Sequence, residues 1–159
     1  MEIRLSPTKV TIIDDEDFEL IKDFKWCFDG RYAYRRQHIR MEGRKQISQK
    51  IYLHKLLNQT PKGFDTDHIN MDKLDNRKSN LRSSTRSGNE ANKPKKAGCS
   101  SQYKGVCWFK LRKKWKAEIR CNGKGNHIGL FDSETEAALA YNEKALEIHG
   151  DFARLNIIN

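Results

Sequence analysis

The sequence has few residues of the kinds that build large cores or membrane spans. Of its 159 residues, only 36% are hydrophobic, while 33% are charged. This composition suits small sheet-and-helix units with modest cores better than one large core. No apolar run approaches the roughly 20 residues that span a bilayer, and the N-terminal stretch MEIRLSPTKV lacks the apolar centre of a signal peptide. We therefore expect a soluble, intracellular, cytoplasmic protein without a membrane partner.

Cysteine is scarce as well, and its spacing gives no sign of a disulfide framework. No C-x-x-C pair occurs, and an intracellular setting argues against disulfides. Three of the cysteines could be combined with His127 into a zinc site, but their spacings match no compact zinc pattern. We expect small buried thiols in strands. The residues concerned are Cys27, Cys99, Cys107 and Cys121.

Acidic residues are too few to balance the basic ones. The formal net charge is +10, and a field of this sign attracts polyanions, of which nucleic acid is the usual one. Segment 103–127 carries eight Lys or Arg residues and one acid, whereas segment 128–159 carries two bases and six acids. This sorting favours a basic nucleic-acid-binding face backed by an acidic one over an evenly solvated basic surface.

A change of composition near residue 95 divides the chain. The segment NKPKKAGCSS, Asn92–Ser101, has no apolar periodicity and combines Pro, Gly, Ser and lysines, which is typical of a linker. We therefore predict an α+β protein with an N-terminal domain at 1–92, a basic linker at 93–101 and a C-terminal domain at 102–159.

In the N-terminal domain the patterns predict a small mixed α/β region. KVTIID predicts a short strand, and DEDFELIKDF predicts a helix with an acidic first turn. RYAYRR and KIYLHKLL are rich in aromatic and apolar residues, and we interpret them as strands or strand-to-helix segments.

The C-terminal domain has the pattern of a three-stranded antiparallel sheet packed on one helix. The strands are YKGVCWFK, KWKAEIRC and HIGLF, and in the second strand apolar residues alternate with charged ones. Ser133, with Glu136 three residues later, predicts the start of the helix, and Gly150 predicts its end. Alanines along one side of the helix allow a close approach to the sheet, whose charged face stays free.

This charged face has the residues expected of a DNA reader. A two- or three-stranded antiparallel sheet can enter the major groove, where long basic side chains reach bases and phosphates. Glu118 lies between two of the basic residues along its strand and is expected to pair with them. The basic candidates are Lys110, Arg112, Lys114, Lys116 and Arg120.

Segment Tyr103–Asn156 resembles the APETALA2-type DNA-binding domain of plant ethylene-response transcription factors. The resemblance rests on YKGV, KWKAEIR, HIGLFDSETEAALAYNEKALEIHG and the closing Leu-Asn. It implies that the sheet face binds the major groove. The plant proteins tend to carry arginines where Cys107 and Phe109 stand and a tryptophan where His127 stands, so the plant target sequence is not transferred. The sheet-face positions of the family correspond to Lys114, Glu118, Arg120 and His127.

A second stretch, DHINMDKLDNRKSNLR at Asp67–Arg82, is dense in groups that suit phosphodiester hydrolysis. That reaction needs a base to activate water, a cation to stabilise the developing charge, and a group that orients the base. A histidine suits the base because it is mostly neutral near pH 7, and Asp and Asn oxygens suit Mg²⁺. The stretch and its continuation offer His68 beside Asp67, then Asn80 and Asn89.

Residue by residue, the same stretch resembles the signature of HNH nucleases with the ββα-metal fold, in particular phage and intron homing endonucleases. The resemblance implies that His68 is the general base and that Asp67 and Asn89 are ligands of one Mg²⁺ or Mn²⁺ ion. Asn80 is then the central asparagine, which holds the turn and helps to orient His68. Asn92 is a weaker alternative to Asn89 as second ligand.

Other interpretations of these residues stay open. The aspartates could form a polar turn, whereas a calcium loop would need a Gly and a final Glu that are missing. His54, in a stretch that fits the family's lead-in strand, is expected to be a strand residue rather than a ligand. Asn76 and Arg77 are either turn structure or phosphate contacts. Arg77 and Arg82 are the candidates for DNA-backbone contacts in this half.

We predict a two-domain, site-specific endonuclease whose N-terminal domain cuts double-stranded DNA and whose C-terminal sheet provides most of the specificity, acting in a bacterial host. A non-catalytic DNA-binding regulator is the alternative from another class. An RNA-binding module is a third, but its sheet would expose aromatic residues rather than Lys and Arg. The sequence leaves open whether the protein is a monomer or a dimer, which DNA sequence it binds, and whether one strand or both are cut.

Overall fold

The computed structural model describes residues 1–158, and the chain forms two compact units, Met1–Ser84 and Thr85–Asn159. Both are built from small antiparallel sheets and short helices, so the predicted α+β class is confirmed. The predicted domain limits stay a prediction, and the compact units divide earlier, between Ser84 and Thr85. Within residues 1–158, no helix is both long and apolar enough to cross a bilayer.

In the first unit, strands dominate and the helices are one or two turns long. β1 pairs with β2, β3–β4–β5 form a second antiparallel sheet, and β6 pairs with β7. A 3₁₀ turn precedes α1. The elements are β1 (Glu2–Ser6), β2 (Lys9–Ile12), α1 (Phe18–Ile21), β3 (Cys27–Phe28), β4 (Ala33–Glu42), β5 (Lys45–Tyr52), α2 (Leu53–Leu57), β6 (Asp65–His68) and β7 (Leu81–Ser84).

The core of the first unit collects apolar side chains from most of these elements. Trp26 donates its indole N–H to the carbonyl oxygen of Ile21 at 3.1 Å, which satisfies the one polar group that this large side chain buries. Leu53 and Leu57 show why the short helix α2 forms where it does, because both turn into this core. The buried residues are Leu5, Ile13, Ile21, Trp26, Ala33, Leu53, Leu57 and Leu81.

Strand β2 holds the loop 69–80 that joins β6 to β7. Ile12 N donates to Leu74 O, and Asn76 N donates to Ile12 O, both at 2.8 Å. Ile12 and Asp75 thereby form a parallel bridge. Because its backbone groups are paired in this way, the largely irregular loop has a defined position against the N-terminal hairpin.

Strands β4 and β5 form a two-stranded ribbon, Ala33–Tyr52, that is largely exposed on both faces. Every residue from Arg36 to Glu42 is exposed, and the ribbon carries six Lys or Arg residues against one acid. The register shifts between His38 and Arg40, and such a bulge increases the local twist. The ribbon contributes little to the core, so its length and charge call for another explanation.

The second unit contains the predicted three-stranded sheet and its helix. The sheet order is β10–β9–β8, and α4 packs on it through small side chains, with Ala137 and Ala138 completely buried. The Ser133 hydroxyl accepts hydrogen bonds from Thr135 N and Glu136 N, and α4 ends at Gly150, as predicted. The elements are α3 (Arg86–Asn92), β8 (Val106–Phe109), β9 (Lys114–Cys121), β10 (Lys124–Phe131) and α4 (Glu134–His149).

Helix α3 and the segment after it also belong to the second unit. Lys104 Nζ donates to the carbonyl oxygen of Ala91 near the end of α3, and Asn122 N donates to Ser87 Oγ at 3.3 Å. Segment 93–101 has no helix or strand, and its assignment as a linker stays a prediction. Its lysines line a cavity of about 440 Å³ together with Lys104, so this segment lies against the second unit.

Two local expectations need correction, and one strand was not predicted. The strand that the sequence analysis did not predict is β1, which pairs with β2. His54 lies in α2 rather than in a strand, since the chain turns at Tyr52 to bury Leu53. Cys99 is exposed in the loop, whereas the other three cysteines are half-buried in strands.

The rings of Tyr32, Tyr52, His54 and His68 pack together in the first unit. The ring centroid of His54 lies 4.7 Å from that of Tyr32 and 5.3 Å from that of His68. Among the described residues, His54 Nδ1 is buried and has no hydrogen-bond partner. Burial, and after it the neighbouring His68, lowers the pKa of His54 to about 3, so His54 is neutral in the folded unit at neutral pH.

We predict that the first unit loses stability as the pH falls below about 6.5, the ordinary pKa of histidine. The unfolded chain then takes up a proton on His54 that the folded unit does not take up until about pH 3. The unfolding free energy therefore falls by about 1.4 kcal/mol per pH unit for this side chain. His54→Phe keeps the ring and removes the titration, so chemical denaturation between pH 7 and pH 4 should show a shallower acid slope. The exposed His38→Phe is the matched control and should keep the wild-type slope; the same slope in both variants would contradict the prediction.

Candidate active site

The hairpin of β6 and β7 positions the two residues at the start of the DHIN stretch. Asp67 pairs with Arg82 and His68 with Leu81 in the antiparallel register. Asp67 is 3% exposed and His68 is completely buried. Two adjacent polar residues in a strand face opposite sides, so each needs its own polar partners in the interior.

His68 is held through one ring nitrogen. Its Nε2 lies 3.0 Å from Asn76 Oδ1, and its ring packs against those of His54 and Tyr32. Burial lowers the pKa of His68, and the hydrogen bond with Asn76 works in the opposite direction to a smaller extent. His68 is therefore neutral near pH 7, which is the protonation state that a general base needs.

Asn76 is completely buried and connects His68 to strand β2. Its Nδ2 donates to Thr11 Oγ1 at 2.7 Å, and the Thr11 hydroxyl donates to Leu74 O at 2.7 Å. Thr11 is completely buried as well. The sequence motif alone leaves Asn76 open between turn structure and a phosphate contact. It gives no sign of Thr11, which lies far from the motif in the chain.

Asn80 closes the loop between β6 and β7. Its Oδ1 accepts from Asn70 N at 2.9 Å, and its Nδ2 donates to Asp75 O at 2.7 Å. These bonds match the predicted turn-holding function of the central asparagine, and the backbone bond from Ile69 N to Asn80 O, at 2.9 Å, continues the hairpin. The catalytic assignment of Asn80 stays a prediction.

Asp75 has a buried carboxylate that accepts hydrogen bonds from two side chains of the same loop. Arg77 donates to it through Nε and Nη2 at 2.8 and 2.7 Å, and Asn70 donates through Nδ2 at 2.9 Å. The hydrogen bonds from Arg77 lower the pKa of Asp75. Arg77 therefore has a structural function in the loop, while about half of its side chain stays exposed.

Arg82 lies beside the predicted metal ligand. Its Nε and Nη2 donate to Asp67 Oδ2 at 3.0 and 2.9 Å, and its side chain is only 17% exposed. At this position Arg82 offsets the cost of burying the Asp67 side chain. Its contact to the DNA backbone stays a prediction.

The donors at this hairpin suit a hard cation. Asp67 supplies the carboxylate oxygens that Mg²⁺ and Mn²⁺ bind, and such ions take few protein ligands. Among residues 1–158, no group of three or more His, Cys, Asp or Glu side chains could hold a metal ion. Asn89 and Asn92 lie on α3 in the second unit, Asn89 half-buried and Asn92 buried, and their function as ligands stays a prediction from the sequence.

The predicted DNA-binding residues of the second unit lie on its sheet and its first turn. Along β9, Ala117 and Ile119 are buried while Arg120 is exposed, which confirms the alternation. Lys116 Nζ pairs with Glu118 at 2.8 Å, as expected. Lys114 pairs with Asp132. The exposed candidates without such an ion pair in the described part of the chain are Lys110, Arg112, Arg120 and His127.

Comparison with known proteins identifies the family of the motif that begins at Asp67. Residues 59–91 match the model of a family described as HNH endonuclease. The chain is 31% identical over 144 residues to the protein named Uncharacterized HNH endonuclease L560 of Acanthamoeba polyphaga mimivirus, covering 91% of this chain and 73% of that protein. It is 32% identical over 94 residues to Protein 3.8 of Escherichia phage T7, covering 59% of this chain and 77% of that protein.

A shorter match relates the chain to a plant protein. It is 52% identical over 46 residues to the Putative dehydration-responsive element-binding protein 2H of Arabidopsis thaliana, which covers 28% of this chain and 29% of that protein. Because the match is partial, the APETALA2-like assignment stays a prediction. No solved structure matches the chain.

The matched segment 59–91 contains β6, the loop, β7 and most of α3, and with them Asp67, His68, Asn76, Asn80 and Asn89. The mimivirus relative is similar over most of the length of both chains. This protein therefore belongs to the HNH endonuclease family.

Proposed function

We propose that the protein is a site-specific endonuclease that hydrolyses phosphodiester bonds of double-stranded DNA with one divalent cation and with His68 as general base. The observation that carries this proposal is the buried, neutral His68, held by Asn76 next to the Asp67 carboxylate. A base must offer a lone pair in a fixed direction. A DNA-binding protein without catalysis would gain nothing from burying and orienting an imidazole at this cost.

Each residue of the proposed active site has one task in the reaction. His68 takes a proton from a water molecule as the water oxygen attacks phosphorus, and the bond from phosphorus to the 3′ oxygen breaks. The products are a 5′-phosphate end and a 3′-hydroxyl end. One Mg²⁺ or Mn²⁺ held by Asp67 and Asn89 would supply positive charge opposite the charge that develops on the phosphate and the leaving oxygen. Arg82 keeps Asp67 in one orientation.

The exposed basic sheet of the second unit is our candidate for DNA reading. An antiparallel sheet fits the major groove, and Arg112 and Arg120 can each pair with a guanine through O6 and N7. Lys110, Lys114, Lys116 and His127 then contact phosphates and position the sheet. The partial similarity to a plant protein named as element-binding supports this assignment.

The ribbon Ala33–Tyr52 is a second basic surface of suitable shape. Two-stranded ribbons also enter DNA grooves, and Arg36 and Arg40 are exposed on it. If the ribbon reads the sequence, the sheet of the second unit adds only affinity. Variants of Arg40 and Arg120 separate these two arrangements.

His68→Ala should abolish cleavage and leave DNA binding unchanged. Loss of a positioned base costs roughly 10²–10⁴ in rate, while the basic surfaces stay intact. The measurement is single-turnover cleavage of duplex DNA at saturating protein with Mg²⁺, with a chelator as blank and with a binding assay on the same protein. His38→Ala, which changes an exposed histidine, is the control and should cut at the wild-type rate. Near-normal cleavage by His68→Ala would remove His68 from the base function, and no cleavage by the wild-type protein would favour the regulator.

Asp67→Ala and Asn89→Ala should each lose metal-dependent cleavage, and the double variant should be scarcely worse than either. Residues that hold one ion act as a unit, so their losses do not add. Titrating Mg²⁺ and Mn²⁺ into each variant measures the effect. Additive losses would mean that the two residues serve different purposes.

Lys116→Gln should weaken binding to all DNA sequences and lower the slope of log affinity against log salt by about one unit. Lys144→Gln, on helix α4 in the acidic part of the unit, is the matched control and should keep the wild-type slope.

Arg120→Ala should relax the preferred sequence at one or two base pairs of a randomised duplex, each contributing about 1–3 kcal/mol. Relaxation by Arg40→Ala instead would assign the reading to the ribbon.

A further inference from the structure

We propose that Thr11 and Asn76 are positioning residues that hold His68 as the tautomer with its proton on Nε2, so that Nδ1 is the basic nitrogen. The inference rests on the proposed function of His68 as general base. Thr11 lies in the N-terminal hairpin, outside the segment 59–91 that matches the family.

The Thr11 hydroxyl directs its proton away from Asn76. Its Oγ1 lies 2.7 Å from Leu74 O, and a carbonyl oxygen only accepts hydrogen bonds. The hydroxyl proton is therefore committed to Leu74. Toward Asn76, Thr11 Oγ1 has only lone pairs to offer.

The Thr11 hydroxyl in turn fixes the orientation of the Asn76 amide. The atom that faces Thr11 must be a donor, so it is Nδ2, at 2.7 Å. The opposite orientation would place the amide oxygen against the lone pairs of Thr11. Both side chains are completely buried, so water cannot repair that mismatch, and an unsatisfied buried polar group costs about 1–3 kcal/mol.

The orientation of the Asn76 amide determines which ring nitrogen of His68 carries the proton. With Nδ2 on Thr11, Asn76 presents Oδ1 to His68 Nε2 at 3.0 Å. Because Oδ1 only accepts, Nε2 carries the proton. A neutral imidazole has one protonated and one unprotonated nitrogen, so the lone pair lies on Nδ1.

The backbone makes this arrangement rigid. Leu74 O also accepts from Ile12 N, and Ile12 O accepts from Asn76 N, both at 2.8 Å. Leu74 and Asn76, the residues before and after Asp75, are thus both held by backbone hydrogen bonds to β2. The N-terminal hairpin therefore supports the direction of the base and does more than close the core.

The direct test is the tautomer of His68, observed by long-range ¹H–¹⁵N correlation of the full-length protein at neutral pH. His68→Ala identifies the signals. The wild-type ring should show a protonated Nε2 and an unprotonated Nδ1. The reverse pattern in the wild-type protein would overturn the proposal without any variant and without any measurement of cleavage.

Thr11→Val keeps the shape of the side chain and removes the hydroxyl. The Asn76 amide then loses its acceptor, and we expect the second tautomer of His68 to appear. Single-turnover cleavage should fall roughly 10–100-fold, as is usual when a partner that orients an imidazole is removed, while the affinity for DNA stays unchanged. Thr11→Ser should restore both the tautomer and the rate.

Thr8→Val, which changes an exposed threonine in the turn of the same hairpin, is the matched control and should behave as wild type. An unchanged tautomer in folded Thr11→Val, or equal losses in Thr11→Val and Thr8→Val, would show that the hairpin is merely structural. A protein that shows the expected tautomers but cuts no DNA would disprove the proposed function and leave the positioning arrangement intact.

Discussion

A buried chain of hydrogen bonds from β2 to His68 is the constraint on which the site depends. It joins Thr11, Asn76 and His68 through contacts of 2.7 and 3.0 Å. The loop 69–80 has almost no regular structure, and the bridge between Ile12 and Asp75 holds it against β2. A strand far away in the sequence thus helps this loop to support an imidazole.

The density of Asp and Asn in this loop follows from the same requirement. A buried carboxylate or amide is tolerated only when its hydrogen bonds are complete. Asp75 is satisfied by Arg77 and Asn70, and Asn80 spans the loop from Asn70 N to Asp75 O. These bonds cross-link the loop internally, so that a small hairpin can keep Asp67 and His68 buried side by side.

The predicted general base lies in the first unit, whereas exposed basic surfaces occur in both units. The hairpin with His68 belongs to the first unit, whereas the predicted reading sheet belongs to the second. The first unit also carries the basic ribbon Ala33–Tyr52, which is largely exposed on both faces and contributes little to the core. Long basic strands of this kind attract phosphates and steer association with DNA. Asn89, the other predicted metal ligand, lies on α3 in the second unit.

The sequence by itself determined those features whose signals are local. The alternation along β9, the Ser133 cap and the Gly150 end of α4, and the DHIN motif with Asn80 all follow from spacings within a few residues. Only the tertiary structure decided the partners of the buried polar groups. Asn76 meets Thr11 across 65 residues of chain, and Arg82 meets Asp67 through the strand register rather than meeting solvent. Such pairs depend on which elements pack together, and packing is set by the whole core instead of by any local pattern.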